Sequence, residues 1–157
     1  MDALGLMQNR LDAYLNLKEN LQRQQQALVR NSYSEVNDIT EKQLAILERI
    51  QEIESNWQNF IKEARLTTSK PKVPVETLMR HLLPDRAFVQ YHEMARELIQ
   101  ITKDIQELKK TNQLLMQTSL DFVRTMLRNL PGGANAQAVY RPGKKSLIPN
   151  RLINTKL

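Results

Sequence analysis

The stretch EVNDITEKQLAILERIQEIESNWQNFIKEARL, Glu35 to Leu66, carries Val36, Ile39, Gln43, Ile46, Ile50, Ile53, Trp57, Phe60 and Ala64 at alternating steps of three and four residues. That spacing is the seam of a helix that packs lengthwise on another helix, with one polar interruption at Gln43. Ser32, followed three residues later by Glu35, predicts a capping box at its start, in which hydroxyl and carboxylate each satisfy an amide left open by the first turn. The helix is predicted over residues 35–66, ending before TTSKPKVP.

A seam needs a partner, and the chain supplies a second one. Leu98, Ile101, Ile105, Leu108, Asn112, Leu115, Ser119, Phe122 and Met126 repeat the same alternation within a helix predicted over 86–130. Between the two, Pro71, Pro74 and Pro84 rule out a continuous helix, because proline lacks the amide donor and fixes φ. The intervening VETLMRHLL predicts one short helical turn over 75–83, and the connector is long enough to reverse the chain. Upstream, Leu4, Met7, Leu11, Tyr14, Leu21 and Leu28 predict a first helix over 2–30, its stripe interrupted by Lys18 and Gln25. The run QRQQQ, Gln22 to Gln26, reads as a solvated face of that helix, since Gln is a good helix former. Its junction with the second helix at Asn31-Ser32 is either a turn or a kink. The expected fold is all-α: an elongated antiparallel helical hairpin or three-helix coiled-coil-like bundle over 1–130, then a flexible basic tail over 131–157.

Composition agrees with helices. The chain has 157 residues, only four Gly and 5% aromatic residues, which suits one helical domain. It has no Cys, which excludes disulfides, thiolate metal sites and a cysteine nucleophile and is compatible with a reducing cytoplasm. The start MDALGLMQNR is acidic where a secretory signal would be basic, and no run approaches the roughly 20 apolar residues that span a bilayer. The net charge is +6, but five basic residues, Arg141, Lys144, Lys145, Arg151 and Lys156, follow Pro131 without an acid. The body is nearly neutral.

The densest apolar stretch is NQLLMQTSLDFVRTMLRNLPGG, Asn112 to Gly133. Beside the seam a second stripe appears there: Met116, Leu120, Val123, Leu127 and Leu130. One partner helix does not cover both stripes. Either the first helix covers the second stripe, completing a local three-helix bundle, or an amphipathic helix of a partner does. Met116 and Met126 suit an adaptable surface. Asn112 and Ser119, polar residues on the seam, either fix helix register at a cost in stability or hydrogen-bond the partner.

Catalytic and cofactor chemistry is not expected. His81 and His92 lie on either side of Pro84 without the i, i+4 spacing of a helical metal site. The glycine pair follows a helix instead of preceding one, so it does not present amides to phosphate. No nucleophile has a base at helical spacing beside it. The tail has five charges and one interleaved aromatic, without a helix-turn-helix or zinc pattern, so nucleic acid is not the expected partner. A structural coiled-coil adaptor with a basic nucleic-acid-binding tail stays open as the alternative class.

The final helix, with LIQITKDIQELKKTNQLLMQTSLDFVRTML, resembles the signature of flagellar export chaperones of the FlgN type, in its Asn-x-Leu-Leu and Ser-Leu-x-Phe steps. The Leu-rich first helix, the polar break at Asn31 to Glu35, EKQLAILERIQEIE and ETLMRHLLP are similar as well, so the resemblance runs from about Leu4 to Leu130. It implies a cytoplasmic chaperone of type III export that binds the C-terminal amphipathic helices of hook-filament junction proteins. It would keep them from assembling early and deliver them to the export gate. The client site it implies is Leu108, Asn112, Leu115, Met116, Ser119, Leu120, Phe122, Val123, Met126 and Leu127. It also implies that a tail tyrosine followed by glycine docks on the cytoplasmic domain of the gate, here Tyr140 and Gly143 in VYRPG. Components of the export ATPase complex are further partners it suggests. A homodimer through the surplus stripe is also open, and the residues do not choose among the junction proteins.

Overall fold

The computed structural model describes residues 2–69 and 72–131, and within them the chain is all-α, with no strand. Four helices follow in order: α1 (Ala3–Val29), α2 (Tyr33–Thr67), α3 (Val75–Leu82) and α4 (Asp85–Asn129). Contacts divide the chain into two units, Met1–Gln113 and Leu114–Leu157. The expected tail from residue 132 onward lies outside the described residues.

Helix α1 starts where the Asp2 carboxylate accepts the amide of Gly5 at 2.7 Å, an N-cap that the sequence reading passed over. Its end is a turn and not a kink. Asn31 takes φ 55°, the left-handed region that Asn tolerates. The Ser32 amide then reaches back to the Ala27 carbonyl at 2.9 Å and the Asn31 amide to Leu28 at 3.1 Å, the Schellman arrangement. The capping box does not form. The Ser32 side chain makes no cap bond, α2 begins at Tyr33, and Glu35 pairs across the turn with Arg30 at 3.0 Å. The guanidinium is a stronger partner for that carboxylate than a single amide.

Helix α2 runs antiparallel to α1, as Arg10 pairs with Glu54 while Asn20 and Gln24 meet Ile39 and Thr40. It is also antiparallel to α4, whose Tyr91 stacks on Trp57 with ring centroids 6.3 Å apart. Because α2 has two neighbours, its buried stripe is wider than the predicted seam and includes Ile61 beside Ile50, Ile53, Trp57 and Ala64. Helix α3 closes this end by driving Leu78 and Met79 into the core, both fully buried. The connector is tied down by Arg65, which donates to the Val73 carbonyl at 3.2 Å.

Within the first unit helix α1 is bonded to both α2 and α4. Its interruption at Lys18 is an ion pair to Asp104 of α4 at 2.6 Å, which holds the Asp104 carboxyl below its usual range. Arg10, almost fully buried, grips Glu54 with both forks at 2.9 and 3.2 Å and lies 4.9 Å from the Trp57 ring centre. Burial, with the negative Glu54 nearby, pushes the Tyr14 phenol up to about 12.

Polar residues of the three long helices meet in one layer. Asn112 donates to the Leu21 carbonyl at 2.9 Å and to Gln24 Oε1 at 3.0 Å, and Gln24 Nε2 donates to Thr40 Oγ1 at 3.1 Å and Gln43 Oε1 at 3.5 Å. Gln24 therefore departs from the solvated face read for QRQQQ: its neighbours in the run stay exposed or half-exposed while it turns inward. Gln24, Gln43 and Asn112 thus link the three helices at one height, although Asn112 Oδ1 is left without a partner, and the links favour one alignment of helices that apolar seams alone would let slide.

Candidate functional site

The candidate site is the face of α4 beyond that layer. The helix continues through it on local devices: Thr118 and Thr125 each donate to the carbonyl four residues back, at 2.9 and 2.8 Å, and Asp121 accepts from Gln117 at 3.2 Å. Arg124 reaches Asp121 at 3.5 Å. The Gln117–Asp121 and Asp121–Arg124 pairs each add roughly 0.2–0.5 kcal/mol to the helix here. The helix ends at Asn129, before Pro131, as proline dictates.

The burial pattern changes along α4. Leu98, Ile101 and Ile105 are buried, Leu108 is half-buried against the core, and Asn112 is 1% exposed. Leu115, Met116 and Ser119 are half-buried, and from Leu120 onward every described residue is exposed. Phe122 is 63% exposed, Met126 52%, Leu120 43%, Val123 41% and Leu127 38%. Both stripes are therefore open, the seam members Phe122 and Met126 as well as the second stripe. Leu120, Val123, Leu127 and Leu130 of the second stripe all remain exposed to water.

Two of the residues implied for client binding belong to the core. Asn112 is enclosed by the polar layer, so its side chain is committed to helix register and is withdrawn from the surface. Leu108 packs on the core cluster. Leu115, Met116, Ser119, Leu120, Phe122, Val123, Met126 and Leu127 share one helix face. Leu130, exposed at 55%, extends the second stripe by a further turn, as its spacing indicated. Tyr140 and Gly143 lie outside the described residues.

At about 100° per residue, the apolar positions from Leu115 to Leu130 fill an arc of roughly 160°. Covering the side chains that stand about half out of water returns about 1 kcal/mol each, roughly half the value for full burial. Five of them give a gross gain at the lower end of the cost of association. Such a face holds an apolar helix only if both stripes are engaged together.

The rest of the described surface offers no competing chemistry. His81 bonds the Thr77 carbonyl at 2.7 Å and His92 approaches Glu76 at 3.3 Å, so each imidazole serves the α3 corner. Among the described residues no group of three or more His, Cys, Asp or Glu could hold a metal ion, and no helix is long and apolar enough to cross a membrane.

Comparison with the curated proteins and with the solved structures finds no match for this chain. The family model described as FlgN protein matches residues 1–147, a span that takes in the whole helical body, the exposed face of α4, and Tyr140 with Gly143. By that match the chain belongs to the FlgN family, the non-enzymatic chaperones of flagellar export.

Proposed function

We propose that this protein is a cytoplasmic type III export chaperone that uses the exposed face of α4, from Leu115 to Leu127, to hold the C-terminal amphipathic helix of a hook-filament junction protein. Family membership implies binding of junction proteins. The observation that supports this reading is the pair of adjacent apolar stripes left open on one helix, where exposed Leu120, Phe122, Val123, Met126, Leu127 and Leu130 cluster. A helix lying along this face shields its own apolar stripe. That is what keeps such a client from assembling before export. Tyr140 and Gly143 are assigned to docking on the export gate, which leaves client holding and gate docking to separate elements.

The test is a pull-down of the full chain with the C-terminal helix of a junction protein. Capture by the wild type, lost in the variant Phe122→Asp/Val123→Asp, is the expected result. Undiminished capture by that variant would remove α4 from the client site. Loss of gate binding on Tyr140→Ala, with client capture unchanged, is the expected result for the second assignment.

A further inference from the structure

The chain has no Cys, so the thioethers of its methionines are its only sulfur and the groups that a two-electron oxidant attacks first. Their exposure is uneven. Met7 and Met79 are sealed in the core, Met94 is half-buried and packed against it, and Met116 is half-buried, whereas Met126 is 52% exposed. Among the described residues Met126 is thus the one methionine that stands open to water. It also lies inside the apolar arc of α4. At about 100° per residue it falls between Phe122, one turn before it, and Leu130, one turn after it, with Val123 alongside.

From this placement we infer that Met126 is an oxidation-sensitive position that controls the client-holding face. A peroxide converts its thioether to the sulfoxide, and the sulfoxide weakens the hold on a client helix. The inference rests on the client-binding reading and adds to it a means of regulation. In the reaction a sulfur lone pair attacks one peroxide oxygen, the O–O bond breaks as the S–O bond forms, and the other oxygen leaves as water. Sulfur loses two electrons and the peroxide gains them. A client helix would then have to bury a polar S–O group against Phe122, Val123 and Leu130, none of which offers a side-chain donor. A bound client covers Met126, so the oxidant acts on the chaperone while it is empty. Because Met7 and Met79 are sealed, the change reaches the binding face and leaves the scaffold folded. A dithiol-dependent sulfoxide reductase reverses it, returning two electrons to sulfur and releasing the oxygen as water.

The test treats the full chain with dilute hydrogen peroxide, removes the peroxide, and titrates the C-terminal helix of a junction protein, with peptide mass mapping to locate the added oxygen. Met126 gains oxygen ahead of the other methionines, affinity falls roughly tenfold, and the denaturation midpoint holds. Reductase treatment restores the affinity, and client bound beforehand slows the oxidation of Met126. The variant Met126→Leu, measured against its own untreated sample, keeps its affinity through the same treatment. Unchanged affinity of the wild type once Met126 carries oxygen would overturn the switch and leave the docking face standing. An equal fall in Met126→Leu would put the sensitive group elsewhere and overturn the assignment to Met126. Failure of the untreated chain to bind the client helix would overturn the inference together with the reading beneath it.

Discussion

Asn112 shows how a single polar residue is assigned by its surroundings. On the seam it reads as a register pin, with a client contact as the alternative, and its buried bonds to Leu21 and Gln24 support the first. Asn112→Ala is expected to lower stability by about 1–3 kcal/mol, because the Gln24 carbonyl and the Leu21 carbonyl lose a buried donor. Client affinity should stay unchanged, and a denaturant melt beside a binding titration measures the two effects separately. Arg10 is the second such residue. Arg10→Ala strands the Glu54 carboxylate and uncovers Trp57, and a loss of about 3 kcal/mol in the same melt is expected. Tyr14 supplies a pH signature. Its phenol is raised from 10.0 to about 12 in the folded chain, and burial raises Tyr91 as well. Above pH 10 the unfolded chain releases these protons first, so stability holds below pH 10 and falls between pH 10 and about 12. Tyr14→Phe should flatten that fall, as read from unfolding midpoints across the range.

At the scale of elements, the helices were legible in the sequence because their seams keep a period that nothing else in the chain imitates. The seam from Ile39 to Ala64 is buried or half-buried at every position and the one from Leu98 to Ile105 is buried, as their spacing requires, and the three prolines mark the reversal. The polar layer was not legible as a layer. Gln24, Gln43 and Asn112 lie in three helices, and periodicity along one helix carries no information on which interruptions stand at equal height. The capping box failed for a related reason: a local pattern of Ser32 and Glu35 lost to Arg30, which only the turn brings near. The surplus stripe on α4 was legible by its density, but its exposure extends to the seam residues Phe122 and Met126, which pattern alone assigned to a partner helix. Phe122→Asp is accordingly expected to leave stability within about 0.5 kcal/mol of the wild type, as for other exposed positions. A drop of several kcal/mol in chemical denaturation would mean that this side chain is packed in solution.

At the scale of the whole molecule, the buried core and the open apolar face of α4 belong to different units of the chain. Residues up to Gln113 hold the core, the partly buried Arg10–Glu54 ion pair and the polar layer, with balanced charge. Between Leu114 and Leu130 α4 and its end offer exposed apolar side chains, which gain nothing until a partner arrives, and the sequence from residue 114 onward holds the basic excess. That division suits a chaperone, whose binding face must stay available while its scaffold stays folded. The most direct measurement is amide hydrogen exchange of the full chain, alone and with the C-terminal helix of a junction protein. Slowed exchange confined to α4 from Leu114 to Asn129, with the amides of α1 and α2 unchanged, is the predicted result. Protection appearing in α1 and α2 while the amides from Leu114 to Asn129 exchange as before would contradict the placement of the client on α4.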